Sequence, residues 1–143
     1  MAPEGTLTPA QFEIMNVVWN HARQGATVAE IWREISESRE VSRTTILNLV
    51  DRLEKRGWLK RREGQGVNRF VGTLSRDKTA SLLTGDFVDD FFGGSASELV
   101  MSLLGSKRLK PDEIQQLERL IEDYTSQAKS PEQNERKAPR NDR

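Results

Sequence analysis

The sequence predicts a mostly α-helical (α+β) fold, and three observations carry that expectation. Apolar residues recur at three- and four-residue spacing through most of residues 8–124, the period of helices that each bury one side. Three of these runs open on a threonine or serine placed as an N-cap: Thr8, Thr27 and Ser42. Residues 58–74 interrupt that period with a short charged hairpin, turning through Glu63-Gly64-Gln65-Gly66, where Gly64 and Gly66 supply the positive φ of a tight loop.

The first helix starts from a capping box. Thr8, Pro9 and Gln11 stand at N-cap, N1 and N3, and Leu7 with Phe12 has the spacing of a hydrophobic staple. Phe12, Ile14, Met15, Val18 and Trp19 bury its side, and Gln24-Gly25 ends the segment. Thr27 and Glu30 repeat the box for a second helix with the stripe Val28, Ile31, Trp32 and Ile35. After the short turn Arg39-Glu40-Val41, Ser42 caps a third helix over 43–56. Val41 and Ile46 staple it, and Ile46, Leu49, Val50 and Leu53 recur at i, i+3, i+4, i+7. Gly57 follows Lys55 and Arg56, where a helix C-terminus favours a left-handed residue. The outer face of this helix shows Arg43, Thr44, Leu47, Asn48 and Asp51. Two helices joined by a short turn, the second polar outside and trailed by a cationic hairpin, form a winged helix-turn-helix.

Three further helices are expected. Residues 76–92 carry Leu82, Leu83, Phe87, Phe91 and Phe92 before Gly93-Gly94 breaks the run; a short helix covers 96–104. The last opens on Pro111-Asp112-Glu113 and carries Ile114, Leu117, Leu120, Ile121 and Tyr124. The expected domains are therefore 1–75, a winged-helix domain; 76–126, a helical dimerisation domain; and 127–143, a polar, proline-punctuated disordered tail. The short C-terminal helices are too few to close a good core alone, so Phe87, Phe91, Leu99, Leu103, Leu117 and Ile121 need a partner surface. Either they fold back on the winged domain in a monomer, or they pair with a second copy. A basic reading head followed by an acidic apolar arm favours the homodimer on an inverted repeat.

Composition removes most other functions. Without cysteine there are no disulfides, thiolate metal sites or cysteine nucleophiles, and the single His21 builds no metal site. No serine has a nucleophile-elbow context and no polar pair or triad marks a pocket, so neither an enzyme nor a cofactor is expected. No apolar run is long enough for a membrane span or a signal peptide, which predicts a cytoplasmic protein with no membrane insertion. The net charge of zero conceals segregation: residues 39–78 hold 11 basic and 5 acidic side chains, a local +6, whereas residues 79–123 hold 4 and 9, a local −5. The positive block coincides with the third helix and the hairpin.

That coincidence points to double-stranded DNA. Basic groups displace counterions along phosphates and give affinity without sequence information; the candidates are Arg52, Lys55, Arg56, Lys60, Arg61, Arg62 and Arg69, joined by the hydroxyls of Ser42 and Thr45. Base edges are read from the first half of the groove helix. There Arg43 can fork onto guanine, Asn48 can pair with adenine, and Thr44 can reach a base or a phosphate. Leu47 can meet a thymine methyl or pack under the wing. The competing reading is a winged helix that binds a partner protein through the same surface.

Leu7 to Trp19 (LTPAQFEIMNVVW), Ser42 to Leu59 (SRTTILNLVDRLEKRGWL) and the FFGG near position 92 together resemble the penicillinase and methicillin-resistance repressors of the BlaI/MecI/CopY type, over about residues 5–125. The resemblance implies a homodimeric winged-helix repressor with an N-terminal DNA-binding and a C-terminal dimerisation domain. It also implies a possible partner, a membrane sensor metalloprotease that relieves repression by cutting the dimerisation region. Cleaved relatives are cut at an Asn-Phe bond in the short helix after the glycine pair; the matching position here is Ser102-Leu103, a departure from that pattern. The copper-responsive branch carries C-terminal cysteine pairs, which this chain lacks, so it does not match a copper sensor.

Overall fold

A computed structural model describes residues 3–62, 64 and 66–137, with side chains as far as residue 128. Its elements are α1 (Pro9–Asn20), a 3₁₀ turn (Ala22–Gln24), α2 (Val28–Ser36), α3 (Arg43–Lys55), β1 (Leu59–Arg62), β2 (Arg69–Gly72), α4 (Arg76–Phe91), α5 (Ala96–Gly105) and α6 (Pro111–Lys137). Both capping boxes form. Thr8 Oγ1 accepts from Gln11 N–H at 3.2 Å and Gln11 Oε1 accepts from Thr8 N–H at 3.0 Å; Thr27 and Glu30 do the same at 3.1 and 2.9 Å. Ser42 Oγ accepts from Thr45 N–H, and Gly57 takes φ +84° behind Arg56, the cap residue that ends α3. The helix-turn-helix connection is longer than the expected three residues, because α2 ends at Ser36. Ser38 Oγ donates to Ile35 C=O at 3.1 Å, offering the chain a turn in place of another helical residue.

One core holds the first unit together. Ile14, Met15 and Val18 of α1, Ile31 and Ile35 of α2, Ile46, Val50 and Leu53 of α3, and Trp58, Leu59 and Phe70 of the hairpin are all buried. Each tryptophan presents its ring to this core and donates its indole N–H to a distant backbone carbonyl: Trp19 to Leu74, Trp32 to Val41 and Trp58 to Glu4, at 3.0, 2.8 and 3.1 Å. The rings thereby fix the entry to α4, the turn before α3 and the N-terminal segment.

The strands pair antiparallel, Leu59 with Gly72 through Arg62 with Arg69. They are shorter than the expected 58–62 and 67–74. Gly66 has φ +93° as a tight loop requires, while Glu63 and Gln65 lie outside the described residues. Ala26 adds a bridge to Phe70, exchanging two backbone hydrogen bonds of 3.0 and 2.9 Å, so the wing is tied to the segment before α2. Arg69 strengthens the tie by donating to Gly25 C=O at 3.3 Å and to Glu30 Oε1 at 3.0 Å. The Thr27 backbone N–H, with help from the Arg69 charge, holds the Glu30 carboxyl below its ordinary value.

The chain divides into two compact units, Met1–Gly94 and Ser95–Arg143. The expected boundary after residue 75 moves to the glycine pair, because α4 continues the first core: Thr79 is fully buried and Leu82 and Leu83 pack against it. In the second unit Ser95 caps α5 through Glu98 N–H at 3.2 Å, and Glu113 Oε1 accepts from Lys110 N–H at the start of α6. The backbone of α6 runs to Lys137, through residues 127–137 that composition assigned to a disordered tail; Glu, Gln, Lys and Arg there favour a helix, against the opposing Pro131. The rest of that tail, residues 138–143, lies outside the described residues. Among the described residues, no helix is long and apolar enough to cross a membrane.

Two stability measurements test this arrangement. Gly25 has φ +75° and ψ −178°, and a Cβ there would stand 2.6 Å from Phe70 O. Gly25→Ala should therefore lower unfolding free energy by about 1–3 kcal/mol in denaturant titration, and a neutral result would mean the wing is not seated on this loop. Glu30→Gln keeps an acceptor for the capping box but loses the charge facing Arg69. Because the folded carboxyl titrates below its unfolded value of 4.5, its contribution is present above that pH and disappears as pH falls through the folded value. The variant should be less stable than the parent at pH 7 and converge with it as pH falls below 4.5 and through the folded value. A gap that widens in acid would contradict the assignment.

Candidate nucleic-acid interface

The outward side of α3 follows from what its inner side buries. Ile46, Val50 and Leu53 fill the core, so the residues half a turn away meet solvent. Arg43, Thr44, Leu47 and Asn48, the expected base readers, are all exposed, with Leu47 at 52 %. Asp51 belongs to the same outer row and makes an i,i+4 ion pair with Lys55 at 3.1 Å. The sequence placed Asp51 on this face without giving it a role. At the helix start, Ser42 Oγ lies 2.8 Å from Thr45 Oγ1, and both hydroxyls are exposed, as a phosphate contact requires.

The cations expected along a DNA backbone differ in how far they are engaged. Arg52 and Lys60, like the expected base reader Arg43, are exposed and make no ion pair among the described residues, and Lys55 is exposed but paired with Asp51. Arg61 and Arg62 are exposed but partly engaged. Arg61 Nε donates to Glu54 at 2.9 Å and its guanidinium lies 5.7 Å from the Phe70 ring centre; Arg62 donates to Arg23 C=O at 2.7 Å. Each keeps further N–H groups for a ligand. Arg69 is half-buried against Gly25 and Glu30, a structural tie more than a free charge.

Arg56 departs most from expectation. All three of its guanidinium nitrogens donate within the protein: Nε and Nη2 to Glu4 C=O at 3.0 and 2.7 Å, Nη2 also to Thr6 C=O, and Nη1 to Gln11 Oε1 at 3.3 Å. Its own carbonyl accepts from Glu4 N–H at 3.0 Å. A side chain bonded on every nitrogen is a clamp for residues 4–6, and freeing it for a phosphate would break those bonds. The residues it holds are more than 40 positions away in sequence, and local patterning carries no sign of such a contact.

Apolar side chains expected at a dimer contact remain uncovered. Phe87 and Phe91 of α4 are exposed, Phe91 at 71 %, with ring centres 5.0 Å apart. In the second unit Leu117 and Ile121 are exposed, Ile121 at 62 %, while Leu99 and Leu103 are half-buried. Val100, Met101, Leu104, Leu120 and Tyr124 add to this exposed apolar set. Ser102 and Leu103 lie inside α5, the former exposed.

The penicillinase repressor family model matches residues 7–123. The penicillinase repressor of Staphylococcus aureus is 25% identical over 119 residues, covering 83% of this chain and 93% of its own length. The methicillin resistance regulatory protein MecI of Mammaliicoccus sciuri is 24% identical over 115 residues, 80% of this chain and 92% of that one. The penicillinase repressor of Bacillus licheniformis is 24% identical over 123 residues, 86% and 94% of the two chains. Among solved structures, the monomeric form of Bacillus licheniformis BlaI in complex with the blaP half-operator aligns at a TM-score of 0.45 and 25% identity, over 51% of this chain and 87% of that one. With the family model spanning the helix-turn-helix, the wing and the C-terminal helices alike, the chain belongs to the penicillinase repressor family.

Proposed function

We propose that the protein is a transcriptional repressor that binds palindromic operator DNA as a homodimer, with α3 in the major groove. The observation that carries this reading is the outer face of α3, where Arg43, Thr44, Leu47 and Asn48 stand exposed opposite the core. Relatives named as penicillinase repressors support the same role. Arg43 and Asn48 read base edges, Thr44 and Leu47 complete the reading face, and Ser42, Thr45, Arg52, Lys55 and Lys60 meet phosphates. Arg61 and Arg62 contribute through the donors they keep. Arg56 and Arg69 serve the fold: the first clamps the N-terminal segment and the second seats the wing.

The uncovered apolar residues of α4 and of the second unit are the surfaces we assign to the partner copy. Two-fold symmetry then presents two α3 helices to equivalent half-sites about one helical turn apart, or a multiple of it. Relief of repression by a membrane sensor metalloprotease cutting at Ser102-Leu103 fits this scheme, because cutting the dimer contact removes the advantage of a linked second site. Since that bond is helical, a protease must first unwind α5 around it.

Titration of the full chain against non-specific duplex DNA at several salt concentrations tests the DNA reading. Log affinity should fall with log salt at about −0.9 per phosphate neutralised. Arg52→Gln and Lys60→Gln should each reduce that slope by about 0.9 per subunit, whereas Arg56→Met should lower the melting temperature and leave the slope unchanged. Salt-independent binding would refute the proposal, and a slope change at Arg56 would refute the division of labour among the arginines. For the assembly, sedimentation of the full chain should give a dimer at micromolar concentration. The double variant Leu117→Asp, Ile121→Asp should give a monomer with operator affinity weakened roughly 10²- to 10⁴-fold. A parent protein that sediments as a monomer would contradict the dimer.

A further inference from the structure

The outermost row of α3 contains a residue that ordinary DNA affinity does not explain. Thr44, Asn48, Asp51 and Lys55 recur at i, i+4, i+7 and i+11, opposite the buried Ile46, Val50 and Leu53. Three of these suit a polyanion; Asp51 does not. Its carboxylate is about half exposed in the middle of the row, and Lys55 Nζ lies 3.1 Å from Oδ2. A carboxylate turned toward phosphates lowers affinity for every sequence, so a place for it in the groove requires a donor to meet it.

The major groove offers few such donors. Guanine presents O6 and N7 and thymine O4, all acceptors that repel a carboxylate; adenine sets its amine beside the N7 acceptor; cytosine alone shows only a donor, its N4 amine. We infer that Asp51 is a specificity-determining residue that accepts a hydrogen bond from a cytosine N4 amine and rejects base pairs that present acceptors there. The inference rests on the DNA-binding reading above. Lys55 completes the device. It follows the acid at i+4, the favourable order on a helix, so it holds the carboxylate in place and offsets its charge toward the neighbouring phosphates. Asp51 is three residues beyond Asn48, about 4.5 Å along the axis, so its cytosine lies next to the base pair that Asn48 meets.

An Asp–Lys pair that merely supports the helix has the same distance but no effect on which bases are chosen. Selection from a pool of randomised duplexes by the full-length parent, Asp51→Asn and Asp51→Ala separates the two roles. The parent should enrich cytosine at one position in each half-site. Asp51→Asn should shift that position toward adenine, as asparagine pairs with N6 and N7. Asp51→Ala should lose roughly 5- to 150-fold of discrimination there and nowhere else. Both variants should bind non-specific duplex at least as tightly as the parent, with an unchanged salt slope. Enrichment of the same sequences by all three proteins would overturn the inference and leave the DNA reading intact. A uniform loss of affinity with a lower melting temperature would assign Asp51 to helix support and likewise overturn it. A parent that enriches nothing and binds without salt dependence would overturn both.

Discussion

Burial of one stripe of α3 is the constraint on which the rest of this protein depends. Ile46, Val50 and Leu53 can all leave water only if α3 lies against α1, α2 and the start of the hairpin. Each such side chain contributes about 1.5–3 kcal/mol relative to exposure, so the helix has one rotational setting that satisfies all three. That setting leaves Thr44, Asn48, Asp51 and Lys55 outside. The face proposed to read DNA is thus the complement of the packed face, and its orientation is set by the hydrophobic core, not by any polar contact of its own.

The boundaries of α3 are held by polar interactions that reach far along the chain. Trp32 fixes the turn before it through Val41 C=O, and Ser42 satisfies its first free N–H groups. At the other end Arg56 and Trp58 converge on Glu4 C=O, which also brings the start of the chain beside the helix C-terminus. Gln11 serves two structures at once, the capping box of α1 and the Arg56 clamp. Loss of either would loosen α1 and α3 together. The helix is therefore braced at both ends by side-chain-to-backbone hydrogen bonds, the Trp32 indole on Val41 C=O before it and Arg56 with Trp58 on Glu4 C=O after it, the rigidity that the proposed contact with bases calls for.

Local patterns made much of this legible. Thr8, Thr27 and Ser42 were readable as caps because an N-cap is a matter of spacing alone, and Gly57 because a helix end favours one conformation. The stripe at 46, 49, 50 and 53 identified the inner face of α3 and with it the outer one. What escaped was whatever depends on distant partners. Arg56, Arg61, Arg62 and Arg69 all look like free cations in a sequence, yet Arg56 and Arg69 are held by acceptors that only folding brings near. The boundary expected after residue 75 did not anticipate Leu82 and Leu83, whose apolar character says that they seek cover but not against which unit. Residues 127–137 show the converse: polar composition signals nothing to bury, yet the backbone of α6 continues through them, with their Ala, Gln, Lys, Glu and Arg residues favouring a helix and Pro131 opposing it.

In the proposed complex the outer row of α3, and not the wing or the C-terminal helices, meets DNA most closely. Titrating the ¹⁵N-labelled full chain with a duplex while following amide and arginine side-chain resonances tests it directly. The largest shifts should run from Ser42 through Lys55 and at Lys60, with the Arg56 Nε–H signal unmoved because its partners are internal. Shifts concentrated on α4, α5 or α6 with a silent α3 would contradict it.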